Sequence, residues 1–311
     1  MASQTNENSV LIVGSVALDS VQTPSGLVER ALGGAAVYSS VAASFFSPVR
    51  IVGVVGDDFP QEHLDFLGSR GIDTHGVQVT PGKTFHWKGS YEGDMNSAVT
   101  HATELNVFQD FKPNLPEHYR SSGFVFLANI DPVLQLDVLD QVTGPSLVAC
   151  DTMNFWISTK RDALLEVLKR VDIVFINDAE LRQLTGIVNL TKAATAIHEL
   201  GPRYVIVKKG EHGAIMYCEN SACFAAASYP LSEVADPTGA GDSFAGGFMG
   251  YMAKNGDISE DSIRKAVVYG STLASYNVQD FSLNRFKRLT IQEIHGRYEE
   301  FRRMVFFEPM G

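Results

Sequence analysis

The sequence predicts an α/β domain built on a mostly parallel sheet with helices on both faces, and a small second β-sheet projecting from it. Three observations carry this expectation. Short apolar strands alternate with helix-length segments along most of the chain, which is the rhythm of βαβ units. Two stretches break that rhythm with strand-like patterns and no helix between them. The 311 residues are 45% hydrophobic and 20% charged, so a packed globular core can form and disorder is not expected.

Taken in order, residues 9–13 read as an apolar strand, and 34–46 as a helix opening on small residues. Residues 49–55 form a strand. A helix over 60–70 follows, with Asp58 as candidate cap and Gly71 as its stop. Strands are expected at 124–127, 147–150, 173–176 and 204–207. Helices are expected at 132–142, from Ser158 to about Arg170, up to Gly186 and over 191–200. The interruptions are 16–31 and the pair 83–91 and 95–103 around the turn Glu92-Gly93-Asp94. In the first of that pair, Phe85, Trp87 and Tyr91 alternate with Thr84, His86, Lys88 and Ser90. These segments suit a lid over a substrate, a dimer contact, or both.

The net charge of -11 argues against nucleic-acid or anionic-membrane partners, because no basic footprint exists to neutralise phosphates. It leaves room for a small phosphorylated ligand held by backbone amides and one or two lysines. Three cysteines, Cys150, Cys218 and Cys223, form neither a disulfide framework nor a CxxC zinc pair and read as thiols of a reduced, cytoplasmic protein. Residues 1–9 lack a signal-peptide layout. No apolar run approaches the ~20 residues of a membrane helix.

The chemistry concentrates in Asp236-Pro237-Thr238-Gly239-Ala240-Gly241-Asp242. Glycines at 239 and 241 let the backbone turn and approach a ligand closely. The amides of Gly239, Ala240 and Gly241, with a helix dipole behind them, would make an anion hole. A carboxylate beside such a hole suits removal of a proton from a hydroxyl that attacks phosphorus. On the residues alone, Asp242 also reads as a helix cap and the glycines as packing.

The chain resembles the ribokinase-like carbohydrate kinases, or phosphofructokinase-B family. The stretch from Asp236 to Asp242 is similar to its C-terminal signature. Leu32-Gly33-Gly34-Ala35-Ala36 is similar to the N-terminal glycine pair. Gly53-Val54-Val55-Gly56-Asp57-Asp58, Gly71-Ile72-Asp73-Thr74, Asn177-Asp178-Ala179-Glu180 and Val207-Lys208-Lys209-Gly210-Glu211-His212-Gly213 follow in the family's order. The resemblance implies one ribokinase-like three-layer α/β/α domain over 1–311, with a lid formed by about 15–32 and 83–103. It implies ATP-dependent transfer of the γ-phosphoryl group to a hydroxyl of a sugar or sugar-like molecule. Asp242 is then the base, and Gly239, Ala240 and Gly241 bind the transferring group. Asn177 and Glu180 organise Mg2+, through water, and the nucleotide phosphates. Gly210, Thr238, Ser271 and Ala274 adjoin the nucleotide. Asp236 and Thr238 mark a candidate K+ site. Asp19, Gly33 and Gly34 hold the acceptor, and dimerisation runs through the lid.

Departures from the family pattern matter as much. Lys208 replaces a hydroxyl residue, and either pairs with nucleotide phosphates or ends its strand in solvent. Ala35 and Tyr38 stand where ribose-handling members carry lysine and asparagine. Tyr38, Phe85, His86, Trp87, Phe155 and Trp156 could supply a surface that stacks on a base or a sugar face, or pack a dimer. The segment from Cys150 to Trp156 resembles the family's Asp-x-Asn region, but Asn154 is one place late. A nucleoside kinase of the same fold is the nearest alternative, and a degenerate kinase acting as a sensor the non-enzymatic one. The first strand lacks G-x-G-x-x-G, and no Walker-type loop is present, which sets aside a Rossmann oxidoreductase and a P-loop enzyme.

Overall fold

The computed structural model describes residues 8–93, 95–219 and 223–307. The chain opens with β1 (Val10–Val13), leaves the body for β2 (Ala17–Thr23) and β3 (Gly26–Gly33), and returns through α1 (Ala35–Ala43), β4 (Val49–Gly56), α2 (Gln61–Ser69) and β5 (Ile72–Thr80). A second excursion makes β6 (Phe85–Tyr91) and β7 (Ala98–Glu104). Two 3-10 turns, Asn106–Asp110 and Glu117–Tyr119, lead to β8 (Phe124–Leu127), α3 (Pro132–Leu139) and β9 (Leu147–Asp151). Then come α4 (Asn154–Thr159), α5 (Arg161–Leu168), β10 (Ile173–Asn177), α6 (Asp178–Thr185), α7 (Leu190–His198) and β11 (Tyr204–Lys208). A hairpin of β12 (Ala214–Cys218) and β13 (Cys223–Ala226) precedes α8 (Ala240–Asn255), α9 (Glu260–Asn277), α10 (Asn284–Arg288) and α11 (Ile291–Val305).

Among the described residues, nine strands form one sheet in the order β13-β12-β11-β10-β9-β8-β1-β4-β5. Neighbours from β11 to β5 run parallel, and the β11–β12 and β12–β13 pairings are antiparallel. Strands covered on both faces should be apolar throughout, and Val10–Val13 is entirely buried. Its alternate residues feed two different cores. Val10 and Ile12 pack with Val41 of α1, Phe248 of α8 and Val267 of α9. Leu11 and Val13 pack with Val138 of α3, Leu164 of α5 and Ala194 of α7. Period-two alternation thus produces three layers. The expected fold class, with its large mostly parallel sheet and small second sheet, is the one found.

The small sheet has the order β3-β2-β6-β7, with β2 and β6 parallel. β2 is largely buried, whereas β7 is largely exposed. Among the described residues no helix is long and apolar enough to cross a membrane.

Several local expectations change. Asp58 does not cap α2, which follows Pro60 without a side-chain cap. Its carboxylate instead accepts from the Thr84 amide and hydroxyl, 2.7 Å each, and pairs with Arg30 at 2.8 Å. Asp58 therefore ties the second excursion to the body. The single helix expected from Ser158 is two, α4 and α5, broken at Lys160 where φ is -134°. The second lid strand starts at Ala98 rather than Met95. Within the expected turn, Asp94 lies outside the described residues, as do residues 1–7 of the N-terminal segment.

Candidate active site

The C-terminal ends of β9, β10 and β11 bring three polar groups together, as parallel sheets tend to do at that edge. Asp151 ends β9, Asn177 ends β10 and Lys208 ends β11. Lys208 Nζ donates to Asp151 Oδ2 at 2.6 Å. Both side chains are mostly buried, so this is not a solvent-screened pair. Burial alone would lower the Lys208 pKa, but the carboxylates of Asp151 and Glu180 outweigh it and raise it. The strand-end-in-solvent reading of Lys208 is therefore not what the fold produces. Asn177 and Glu180 close a capping box at the start of α6: Asn177 Oδ1 accepts from the Glu180 amide at 2.7 Å, and Glu180 Oε2 accepts from the Asn177 amide at 2.8 Å. Burial pushes Glu180 up to about 7 against the pull of Lys208.

α8 begins over this cluster. Gly239 is its N-cap at φ +75°, a left-handed conformation that favours glycine. A Cβ at Gly239 would also overlap the Tyr38 ring. At Gly241 a Cβ would stand 3.1 Å from Lys208 Nζ, so the glycine lets the ammonium approach the helix start. The Ala240 amide turns back to the Pro237 carbonyl at 3.1 Å. In the expected triple cradle, the Ala240 amide is thus engaged within the turn itself. Asp242 occupies the first turn. Burial, then Asp151, push its pKa up to about 7, while Lys208 opposes them.

The α1 terminus forms the other wall. The Gly34 amide donates to Asp19 Oδ2 at 3.3 Å, and the Ala35 amide to Ser15 Oγ at 2.9 Å. Gly33 faces Asp19 so closely that any Cβ would overlap the carboxylate. Burial raises Asp19 to about 7, with the Gly34 amide opposing. Asp236, 1% exposed, accepts from the Thr238 amide at 2.9 Å and the Ser282 amide at 3.3 Å. Thr238 turns its hydroxyl to within 3.5 Å of the Tyr91 hydroxyl, at the end of β6.

The expected aromatic surface is redistributed. Tyr38 is 1% exposed and backs Gly239, so its ring is no open stacking face. Phe85 stacks on Phe108, which stacks on Phe111. Trp87 donates to Thr100 within the lid, and His86 bonds Ser20. Phe155 remains exposed, and Trp156 donates to Asn129 Oδ1 at 3.0 Å beyond the end of β8.

Beside Lys208, a cleft of about 320 Å3 runs between the turn at Gly210 and α9, where Ser271 and Ala274 line it. Two features of this region gained no role from sequence reading. Asp151 lay in the segment resembling the family's Asp-x-Asn region, and its pairing with Lys208 comes from the sheet. Met95 and Asn96, at the lid hairpin's tip, also line the cleft and had no signal, because only the fold brings the tip over Gly210. As to a metal, Asp151, Glu180 and Asp242 outnumber the Lys208 ammonium. That surplus of largely buried carboxyl oxygen fits a divalent ion bound together with polyphosphate.

Residues 8–287 match the model of the pfkB family of carbohydrate kinases. The cytidine kinase of Thermococcus kodakarensis is 32% identical over 255 residues, 81% of this chain and 91% of that one. The nucleoside kinase of Burkholderia thailandensis, solved with inosine, superposes with a TM-score of 0.79 at 19% identity, covering 96% of this chain and 100% of that one. A ribokinase II from E. coli, solved with ATP and Mg2+, gives a TM-score of 0.75 at 20% identity over 95% of this chain and 99% of that one. The chain belongs to the pfkB family of carbohydrate kinases and is a phosphotransferase with an alcohol group as acceptor.

Proposed function

We propose that the chain transfers the γ-phosphoryl group of ATP to a ribose hydroxyl of a nucleoside, with Asp242 as base. The observation that carries the reading is Asp242 in the first turn of α8, next to Gly239 and Gly241 and within electrostatic reach of the Lys208–Asp151 pair. The acceptor hydroxyl gives its proton to Asp242 as its oxygen bonds to phosphorus and the bond to the ADP oxygen breaks. Charge on the transferring group meets the Gly239 and Gly241 amides, the dipole of α8 and the Lys208 ammonium. Asp151 holds Lys208 at that place. Asp151 and Glu180 would hold Mg2+, which would supply positive charge against the nucleotide phosphates. Gly210, Ser271 and Ala274 form the nucleotide cleft. A small sheet closing over the acceptor excludes water.

Asp19, with Gly33 and Gly34, offers a carboxylate for ribose hydroxyls. The cytidine kinase relative supports a nucleoside. A free sugar is the second reading, favoured by the burial of Tyr38 and the packing of Phe85, which remove part of the stacking surface. An ADP-release assay with Mg2+ decides between them. The proposal expects kcat/KM for a nucleoside to exceed that for ribose, fructose and related sugars by at least tenfold, and preference for a sugar overturns it. K+ activation belongs to the same reading, through backbone oxygens around Asp236 and Thr238, and equal rates in K+ and in a large organic cation would remove it. So does a homodimer through the small sheet, where Leu27 and Val99 are exposed; a monomer in sedimentation would contradict it. Cytoplasmic residence rests on the cysteine pattern.

A further inference from the structure

At the opposite end of the large sheet, β5 forms the edge, and its register against β4 carries a bulge. Arg50 pairs with Asp73 and Val52 with Gly76, so one extra residue is inserted at 74–75. Bulges re-aim side chains, and here His75 folds back onto Asp73. The His75 amide and Nδ1 approach Asp73 Oδ1 at 3.1 and 2.6 Å. From the turn Glu117–Tyr119, His118 Nε2 reaches the other oxygen, Asp73 Oδ2, at 3.2 Å.

The platform beneath is rigid. Tyr119 is fully buried. Its hydroxyl donates to the Asp73 carbonyl at 2.9 Å and accepts from the Gly76 amide at 3.3 Å. One buried tyrosine therefore fixes both the bulge that carries Asp73 and His75 and the turn that carries His118. Across the ladder, Arg50 donates to Ser122 at 2.9 Å and lies over the Tyr119 ring.

We propose that Asp73, His75 and His118 form a binding site for a divalent transition metal of the zinc class, separate from the phosphotransfer centre. Their donor atoms all lie within 4.8 Å of one another. Ligands at ~2.0–2.2 Å from a tetrahedral ion sit roughly 3.3–3.6 Å apart, a change that rotation of two exposed rings supplies. In neutral imidazole the proton moves to the outward nitrogen, leaving His75 Nδ1 and His118 Nε2 bare for the ion. Two imidazoles and one carboxylate suit zinc, nickel or copper and leave a position for water. Mg2+ and Ca2+ prefer all-oxygen shells, which two imidazoles do not offer. Occupancy would clamp the edge strand of the sheet to the turn before β8.

The test is calorimetric titration of the full chain with Zn2+, with millimolar Mg2+ present to occupy the phosphate site. The wild type should bind one equivalent that is weakened at least tenfold in His75→Gln and in His118→Gln and lost in the double variant. Zn2+ should also raise the melting temperature of the wild type but not of the double variant. Both histidines are exposed, so the variants should fold, and their kinase turnover without zinc should match the wild type. Equal zinc binding by wild type and double variant, or no binding by either, would overturn the site without touching the kinase reading.

Discussion

At Asp242, burial and the neighbouring Asp151 hold a proton that Lys208 tends to release, and the balance sets the pKa at about 7. A base must be ionised to work, so kcat/KM should rise about tenfold per pH unit below neutrality and level off above about 7. A pH-rate profile flat across that range would mean that Asp242 does not titrate in the working enzyme. Lys208 can be tested by shape and charge separately. Lys208→Met removes the point charge under Gly241 and should lower kcat about 100-fold, in line with loss of one preorganised donor. Lys208→Arg should not restore it, because the fork is larger than the space beside Gly241 and cannot keep the Asp151 geometry. Steady-state rates of the two variants decide this; near-normal kcat in Lys208→Met would leave the lysine structural. Tyr38 shows why one residue can be misread from sequence. Its type and position suit a stacking face, and only the path of α8 reveals that Gly239 lies on its ring.

The site's two helices are held in register by their contact. α8 presents Gly246 and Gly250 to α1, where a Cβ at Gly246 would overlap the Ser39 carbonyl and one at Gly250 would stand 2.6 Å from the Ala43 carbonyl. Ser39 Oγ adds a hydrogen bond to the Asp242 carbonyl at 3.0 Å. Gly246→Ala should therefore destabilise by about 1–3 kcal/mol through overpacking and raise KM for the acceptor as the α1 terminus shifts. Gly296→Ala, in α11 with nothing near its added Cβ, should instead stabilise by about 0.5–1 kcal/mol. Urea unfolding of the pair measures both, and equal effects would refute the close-packing argument. Most elements were legible because apolar runs such as Val49–Gly56 and helix stops such as Gly186 are local signals. The break at Lys160 was not, since residues 158–170 keep a helical pattern across it and only the backbone conformation of Lys160 interrupts it. The Asp58 cap failed for a related reason: its partner, Thr84, is distant in sequence and outcompetes the local helix start.

On the scale of the whole molecule, one edge of a parallel sheet gathers three strand-end groups, three helix N-termini and the tip of the small sheet. The gathering turns a sequence motif into a candidate phosphotransfer centre. Fold and reaction class were readable because their motifs run in order along nearly the whole chain. The acceptor was not, because the side chains expected to meet it, such as Tyr38 and Phe85, take their neighbours from tertiary packing. The most direct measurement is turnover and nucleotide binding of Asp242→Asn, by ADP release with the preferred acceptor and by ATP calorimetry. The account predicts a kcat lower by about 100- to 10,000-fold, the range for loss of a general base, with ATP affinity within a few-fold of wild type. A variant that retains near-normal turnover would contradict it.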